Sequence, residues 1–232
     1  MNYIVVFIAS LLGGFIQTVT GFGSGIVIML FLPYILPIMK ASALNNLITI
    51  TLNATLVVRY YKHIQFRKVW LPTIVSFIVS TVVIYVCAGL DTNLIKMIFS
   101  LFLIALAMYF IFFSNKLILT PNIQTVLTCA ILAGAANGMF GIGGPPMALY
   151  FLAITDSKEE YIGTTQTYFF LNSLYTTIVR IMNHVIDQQI VMLIIPGLIA
   201  ILLGEFVKIK RNATILDLCT GNAPIPLILS TR

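Results

Sequence analysis

Two glycine clusters stand inside long apolar stretches, and their composition suits them to binding an anion. The first reads GFGSG at residues 21–25 and the second GIGGPP at residues 141–146. Glycine permits the backbone conformations that a helix break requires, and proline suits the first turn of a restarting helix. A restarted helix presents free N–H groups and the positive end of its dipole, which attract an oxyanion. The clusters therefore predict an anion site formed by two half-helix ends, without any buried lysine or arginine.

Polar side chains beside the breaks and on the following helices are expected to complete this site. Each of them also has a structural interpretation, because small and amide residues are common contacts between membrane helices. The candidate substrate-binding residues are Gln17, Thr20, Gly21, Gly23, Ser24, Gly25, Asn53, Asn137, Gly141, Gly143, Gly144 and Asn172. Further polar residues that could contribute are Thr18, Asn45, Asn46 and Gln166.

The composition places these residues in a membrane. Of the 232 residues, 59% are hydrophobic and only 9% are charged, whereas about a quarter of a soluble domain is charged. Many apolar runs approach the roughly 20 residues that cross a bilayer as a helix. Seven blocks of this kind cover residues 3–38, 43–61, 69–89, 94–114, 123–154, 161–182 and 189–207. The sequence predicts an all-α, multi-pass protein of the cell (plasma) membrane with about seven membrane segments.

The charges predict how the helices are oriented. Four cations lie in RYYKHIQFRK, residues 59–68, which the positive-inside rule assigns to the cytoplasm. The link around Asp91 is then outside. As one helix of about 1.5 Å per residue, the first block would exceed roughly 50 Å, so it must bend or re-enter. If both broken blocks return to their starting side, KIKR at 208–211 lies inside and the loop near His184 outside.

Other classes of function find no support in the sequence. The net charge of +6 comes from dispersed cations, which argues against nucleic-acid binding. Cys87, Cys129 and Cys219 are far apart and have no histidine nearby, so we expect neither a metal site nor a disulfide framework. No His, Asp or Cys cluster falls at membrane depth, so we expect no catalytic residues, no cofactor and no enzyme activity.

A few ionisable residues have a less favoured functional interpretation. His63 and His184 could relay protons, but both fall in predicted loops, where solvation explains them more simply. Glu205 and Lys208 lie one turn apart, and the default expectation is a surface ion pair.

The second glycine cluster extends into an internal repeat. Gly141 follows Gly21 by 120 residues (141 − 21), and the similarity continues outside the clusters. Residues 1–114 are therefore predicted to form one membrane repeat and residues 115–210 a second, truncated one. Such repeats, inverted here if the charge rule holds, are common in secondary transporters. The aligned pairs are Gly21 with Gly141, Gly23 with Gly143, Gly25 with Pro145, Gln17 with Asn137, Arg59 with Arg180, and His63 with His184.

The two motifs resemble those of the TauE/SafE sulfite exporter family of membrane transporters. The more specific of the two is GMFGIGGPPMALYFL at residues 138–152. The resemblance covers about residues 1–208 and implies eight membrane segments in two related halves. It also implies export of sulfite or organosulfur anions.

The C-terminal segment departs from this pattern where an eighth helix is expected. ILDLCTGNAPIPLIL at residues 215–229 resembles the first strand and cofactor loop of class I S-adenosylmethionine-dependent methyltransferases. Asp217, Gly221 and Asn222 match the loop pattern, and Ala223 stands where a second glycine would be. About 20 residues cannot form such a domain, so residues 211–232 are expected to be a methyltransferase-like fragment without activity.

The sequence thus predicts a transporter of small anions, with sulfite or organosulfur anions as substrates, that works by alternating access at an inter-repeat site. Its expected partners are the anion and the lipid bilayer, and its oligomeric state is not predicted. Two alternatives stay open: a truncated, nonfunctional fusion product, and a passive anion channel, although no ring of charges or carbonyls suggests a dedicated filter.

Overall fold

Nine α-helices make up most of residues 2–112 and 122–209, the part of the chain that this computed structural model describes. Short 3₁₀ turns follow the second helix at Leu32–Tyr34 and the third at Tyr61–His63. No strand occurs within the described residues, and the predicted all-α class is confirmed. Residues 211–232, predicted to resemble a methyltransferase, lie outside them. The helices are α1 Asn2–Thr20, α2 Ser24–Phe31, α3 Ile38–Arg59, α4 Phe66–Ala88, α5 Thr92–Phe112, α6 Ile123–Phe140, α7 Gly144–Ile154, α8 Lys158–Met182 and α9 Gln188–Ile209.

The outward faces of the helices are apolar, as a lipid-facing surface must be. Helices α1, α3, α4, α6 and α9 are long and apolar enough to cross a membrane. On α4, Trp70, Ile74, Ile78 and Val82 are all exposed and follow one another every fourth residue. A continuous stripe of this kind would be unfavourable in water, whereas hydrocarbon solvates it well. The predicted multi-pass membrane protein is confirmed.

Each broken block folds back on itself as a helical hairpin. Gly13 of α1 lies so close to Ile28 of α2 that an added Cβ would be 3.0 Å from the Ile28 Cγ1. In the second hairpin, Ala133 of α6 and Met147 of α7 share one buried cluster. The chain therefore re-enters after both glycine clusters and returns toward the side from which each block began.

The centre of the protein is formed by α3 and α8, which run in opposite directions. Asn46 Nδ2 donates a hydrogen bond to Thr176 Oγ1 at 2.8 Å, and Gly163 packs against the Tyr60 carbonyl. Around this pair, α1 packs against α9, and α4 packs against α6. Exchange of the predicted halves converts one of these contacts into the other. We propose on this basis that the repeat is real and, because α3 and α8 are antiparallel, inverted.

Ion pairs lie at both ends of the helical bundle. At the end predicted to be cytoplasmic, Lys68 Nζ lies 2.6 Å from Glu160 Oε1. At the opposite end, Lys40 Nζ lies 2.6 Å from Asp187 Oδ2. The surface position expected for Glu205 is wrong, because its side chain is only 3% exposed and its Oε1 lies 3.4 Å from Arg59 Nη2. The side chain of its expected partner, Lys208, lies outside the described part of the structure. Packing of α9 between α1 and α3 buries this carboxylate.

The contact between α1 and α9 leaves no room for a side chain at its glycines. A Cβ on Gly204 would lie 2.5 Å from the Leu11 carbonyl oxygen and 2.9 Å from the Phe15 nitrogen. Gly204→Ala should therefore separate the two helices and cost about 1–3 kcal/mol of stability. The measurement is the thermal unfolding midpoint in detergent. Gly89→Ala is the control, because its nearest neighbour would be 3.8 Å away; equal midpoints for the two variants would contradict this packing.

Candidate functional site

A cavity of about 50 Å³, which we call the central cavity, lies where the tips of the two hairpins meet between α3 and α8. Ten of the twelve candidate residues line it, and they come from both breaks and both central helices. These ten are Gln17, Gly23, Ser24, Gly25, Asn53, Asn137, Gly141, Gly143, Gly144 and Asn172. The cavity therefore joins two parts of the chain that are more than a hundred residues apart.

The two remaining candidates lie beside the cavity without lining it. Thr20 is exposed, and its hydroxyl donates to the carbonyl oxygens of Ile16 and Phe22. Gly21 contributes a carbonyl that accepts a hydrogen bond from Gln166. Both residues thus contact the first break itself.

The backbone at the breaks adopts conformations that favour glycine. Gly23 precedes α2 with φ 103° and ψ −4°, and Gly141 follows α6 with φ 67°. A side chain is strained in this left-handed region. At Gly141 the N–H donates to the Asn137 carbonyl at 2.9 Å, as in the αL motif that ends many helices. The glycine therefore ends α6 and turns the chain toward the cavity.

Each break is held by an amide side chain from the opposite half of the molecule. Gln166 Nε2 on α8 donates to the Gly21 carbonyl at 2.6 Å. Asn45 Nδ2 on α3 donates to the Gly141 carbonyl at 3.0 Å. Both amide side chains are fully buried. These bonds satisfy carbonyls that helix ends leave without an intrahelical partner, and lipid could not replace them.

A chain of polar side chains connects the first break to both central helices. Gln17 Nε2 donates to Asn53 Oδ1 at 2.7 Å and to Gln166 Oε1 at 3.0 Å. The Ser24 hydroxyl donates to Gln17 Oε1. Gln17 is thereby held by three helices, which fixes the wall of the cavity beside the start of α2.

Two amide atoms of the cavity wall have no partner among the residues that the structure describes. Asn137 is 5% exposed and Asn172 is 4% exposed. The Asn137 Nδ2 donor and the Asn172 Oδ1 acceptor make no hydrogen bond, although Asn172 Nδ2 donates to the Tyr168 carbonyl. Buried polar atoms are rarely left unsatisfied, so this unpaired donor and this unpaired acceptor distinguish the two residues from the rest of the wall.

The two helix N-termini at the cavity differ in the donors that they offer. Ser24, Gly25 and Ile26 begin α2 and line the cavity, and the first N–H groups of a helix have no intrahelical acceptor. In α7, by contrast, Gly144 is followed by Pro145 and Pro146, which have no N–H. The positive end of α2 is therefore the richer donor for an anion.

The sequence predicts a site without any buried lysine or arginine, but one fully buried arginine lies next to it. Arg180 is 0% exposed, and its Nη2 donates to the carbonyls of Asn137 and Gly138 at 3.0 Å each. That expectation is wrong because the packing of α8 against α6 encloses a side chain whose position near a helix end suggested exposure. The alignment with Arg59 was a signal for this residue, but it did not reveal its burial.

Seven further wall residues are not among the candidates; two of them belong to the second glycine cluster, and the other five carry no sequence signal that distinguishes them from ordinary helix residues. Four of them come from the central helices α3 and α8, and three flank the glycines. They are Ile26, Thr49, Ile142, Pro145, Tyr168, Phe169 and Ser173. Their place in the wall follows from the crossing of α3 and α8 near the hairpin tips.

A second, larger cavity of about 280 Å³ opens on the face that carries Asp187. Lys40, Cys87, Asn183 and His184 are among its lining residues. The hydrogen bond from Lys40 holds the pKa of the Asp187 carboxyl below its usual value, because the ammonium stabilises the charged form. We call this second cavity the outer cavity.

His184 and His63 both lie in exposed loops, as predicted.

Within the described ranges, no group of three or more His, Cys, Asp or Glu side chains could hold a metal ion. Cys87 and Cys129 are free thiols. The polar wall of the central cavity instead offers amides, hydroxyls and backbone N–H groups, which bind oxyanions through hydrogen bonds.

Comparison with known proteins agrees with this geometry. The family described as Sulfite exporter TauE/SafE matches residues 6–220. No curated protein and no solved structure matches the chain. The methyltransferase resemblance at the C-terminus gains no support, and the family match extends into that segment. Because the match covers most of the sequence and includes both broken hairpins, this chain belongs to the TauE/SafE sulfite exporter family.

Proposed function

We propose that the protein carries small oxyanions of sulfite size across the cell membrane, by alternating access at the central cavity. The observation that carries this proposal is the cavity wall, in which both helix breaks meet and two buried amide atoms lack a partner. The family supports anion transport in general. The choice of anion and the mechanism rest on the geometry below.

The size of the cavity supports a compact substrate. Its volume of about 50 Å³ is roughly three to five times the 10–15 Å³ that one water needs by the same measure. The cavity could thus hold roughly three to five water-sized groups, and the number of non-hydrogen atoms in sulfite falls in this range. A larger organosulfur anion would require the hairpin tips to separate.

The polar groups support an anion that also carries a proton. Asn137 Nδ2 and the first N–H groups of α2 can donate to its oxygens. Asn172 Oδ1 can only accept. Hydrogensulfite, the protonated form of sulfite, offers both kinds of group, whereas a fully deprotonated oxyanion leaves Asn172 Oδ1 unsatisfied.

The arrangement of the hairpins supports alternating access. One hairpin enters from each face, and their tips meet at the cavity, where Gly25 lies next to the Gly141 carbonyl. Ion pairs close over both ends of the bundle, Lys68 with Glu160 and Lys40 with Asp187. A small relative rotation of the halves would open one end and close the other around the same site.

Counterflow distinguishes a carrier from a channel without knowledge of the coupling ion. Proteoliposomes loaded with unlabelled sulfite should transiently accumulate labelled sulfite above its external concentration, because one alternating site exchanges the two. Empty vesicles are the control. Uptake that only equilibrates would indicate a passive channel, and no uptake by folded protein would contradict sulfite transport.

Asn137→Asp replaces a free donor in the cavity by a carboxylate of nearly the same shape. The negative charge should weaken sulfite binding by at least about tenfold, which corresponds to ~1.4 kcal/mol, because like charges repel at close range. The measurement is sulfite affinity by calorimetry in detergent. Asn122→Asp is the matched control, since Asn122 caps the start of α6 and aspartate caps equally well. Unchanged affinity in Asn137→Asp would remove the cavity from the proposal.

The unpaired acceptor of Asn172 predicts selectivity between related anions. Sulfite should bind at least about tenfold more tightly than sulfate near neutral pH, because sulfate is larger and carries no proton for Asn172 Oδ1. Competition by sulfate in the sulfite-binding assay measures the ratio. Selenite, which is protonated at neutral pH, should compete well. Equal competition by sulfate would contradict the assignment of Asn172.

A further inference from the structure

Arg180 is a buried cation whose role the anion site described above leaves unassigned. It lies near the end of α8 and is fully enclosed. Its Nη2 donates to the carbonyls of Asn137 and Gly138 at 3.0 Å each, and its Nη1 lies 3.5 Å from the Ser42 carbonyl. The guanidinium thus occupies the C-terminal end of α6, directly behind the residue whose side chain lines the central cavity.

The positive charge of Arg180 is not neutralised by a carboxylate. Of the side chains that the structure describes, none of Asp or Glu forms an ion pair with it. The equivalent position in the predicted repeat, Arg59, is 41% exposed and faces Glu205. The C-terminal dipole of α6 compensates only part of a full charge. Burial of a lone cation is unfavourable, so a further negative group must contribute.

Hydrogen bonding to the end of α6 does not require a charge. The carbonyls of Gly21 and Gly141, at the same kind of helix end, are satisfied by the neutral amides of Gln166 and Asn45. A neutral amide is therefore sufficient for carbonyls of this kind. The use of arginine therefore indicates that the charge itself has a function.

Arg180 also lies between the two cavities. On one side it binds the peptide carbonyl of Asn137, whose side chain lines the central cavity. On the other, its carbonyl accepts a hydrogen bond at 3.0 Å from the N–H of Val185, and Val185 and Cys87 both line the outer cavity. The outer cavity is also lined by the cationic Lys40 and by His184. Lys40 is paired with Asp187, so an anion that moved between the cavities would pass Arg180, a cation without a carboxylate partner among the described residues.

We propose that Arg180 is a positioning residue whose fixed positive charge guides an anion between the central and outer cavities and stabilises it in the central one. This inference rests on the proposed anion transport. Arg180 would act through space and through the backbone of Asn137, so that the anion need not contact the guanidinium. The counter-charge that α8 lacks is then the transported anion.

Two substitutions separate the charge from the hydrogen bonds. Arg180→Lys keeps the charge, and Arg180→Gln replaces the guanidinium by a neutral side chain that still carries N–H donors. Sulfite affinity should fall at least about tenfold in Arg180→Gln. In Arg180→Lys it should stay within about threefold of the affinity of the unsubstituted chain. Thermal unfolding in detergent reports any loss of fold. If the unsubstituted chain binds sulfite, and Arg180→Gln and Arg180→Lys bind it with the same affinity as each other, the proposal is overturned while the proposed function stands.

A second measurement does not depend on the identity of the substrate. In a chain with Cys129→Ser and Cys219→Ser, Cys87 reports the potential in the outer cavity through its reaction with charged methanethiosulfonates. The anionic reagent should react several times faster than the cationic one of similar size. Arg180→Gln should reduce this preference and Arg180→Lys should keep it. A preference that Arg180→Gln leaves unchanged, or a Cys87 that reacts in no variant, would contradict a route past Arg180.

Discussion

The need to satisfy backbone groups at membrane depth governs this structure. A helix that stops inside hydrocarbon leaves carbonyl and N–H groups that no water can reach. The protein meets this constraint with long-range partners: Gln166 donates to the Gly21 carbonyl and Asn45 to the Gly141 carbonyl. These bonds require α3, α8 and both hairpin tips to be in place together. Because these bonds hold the two breaks in place, a cavity remains between them that neither lipid nor side chains fill.

The same constraint supports the proposed anion site, whose lining residues include no lysine or arginine. The start of α2 supplies N–H groups that have no other acceptor, and Asn137 adds a free donor. The opposite hairpin contributes Pro145 and Pro146, which lack N–H groups. The cavity is therefore asymmetric in spite of the predicted repeat. Positive potential comes from the α2 dipole and, at longer range, from Arg180.

Close helix packing makes this arrangement rigid. Gly14 and Gly204 bring α1 and α9 to within backbone contact, and Gly134 and Gly138 do the same for α6 and α4. Each hairpin is thereby attached to a long membrane helix of the other predicted half. A hairpin would therefore move together with the helix of the other predicted half on which it packs.

The sequence alone determined the membrane class, the seven helical blocks, the two breaks and ten of the residues that line the cavity. These features depend on local composition and on the backbone freedom of glycine, which act within a few residues. Only the tertiary structure decided which groups meet across the bundle. It buried Arg180 while its predicted equivalent Arg59 stayed partly exposed, and it enclosed Glu205. Residues of the same type differ in this way because burial and hydrogen bonding depend on the helix that packs against them, which no local pattern encodes.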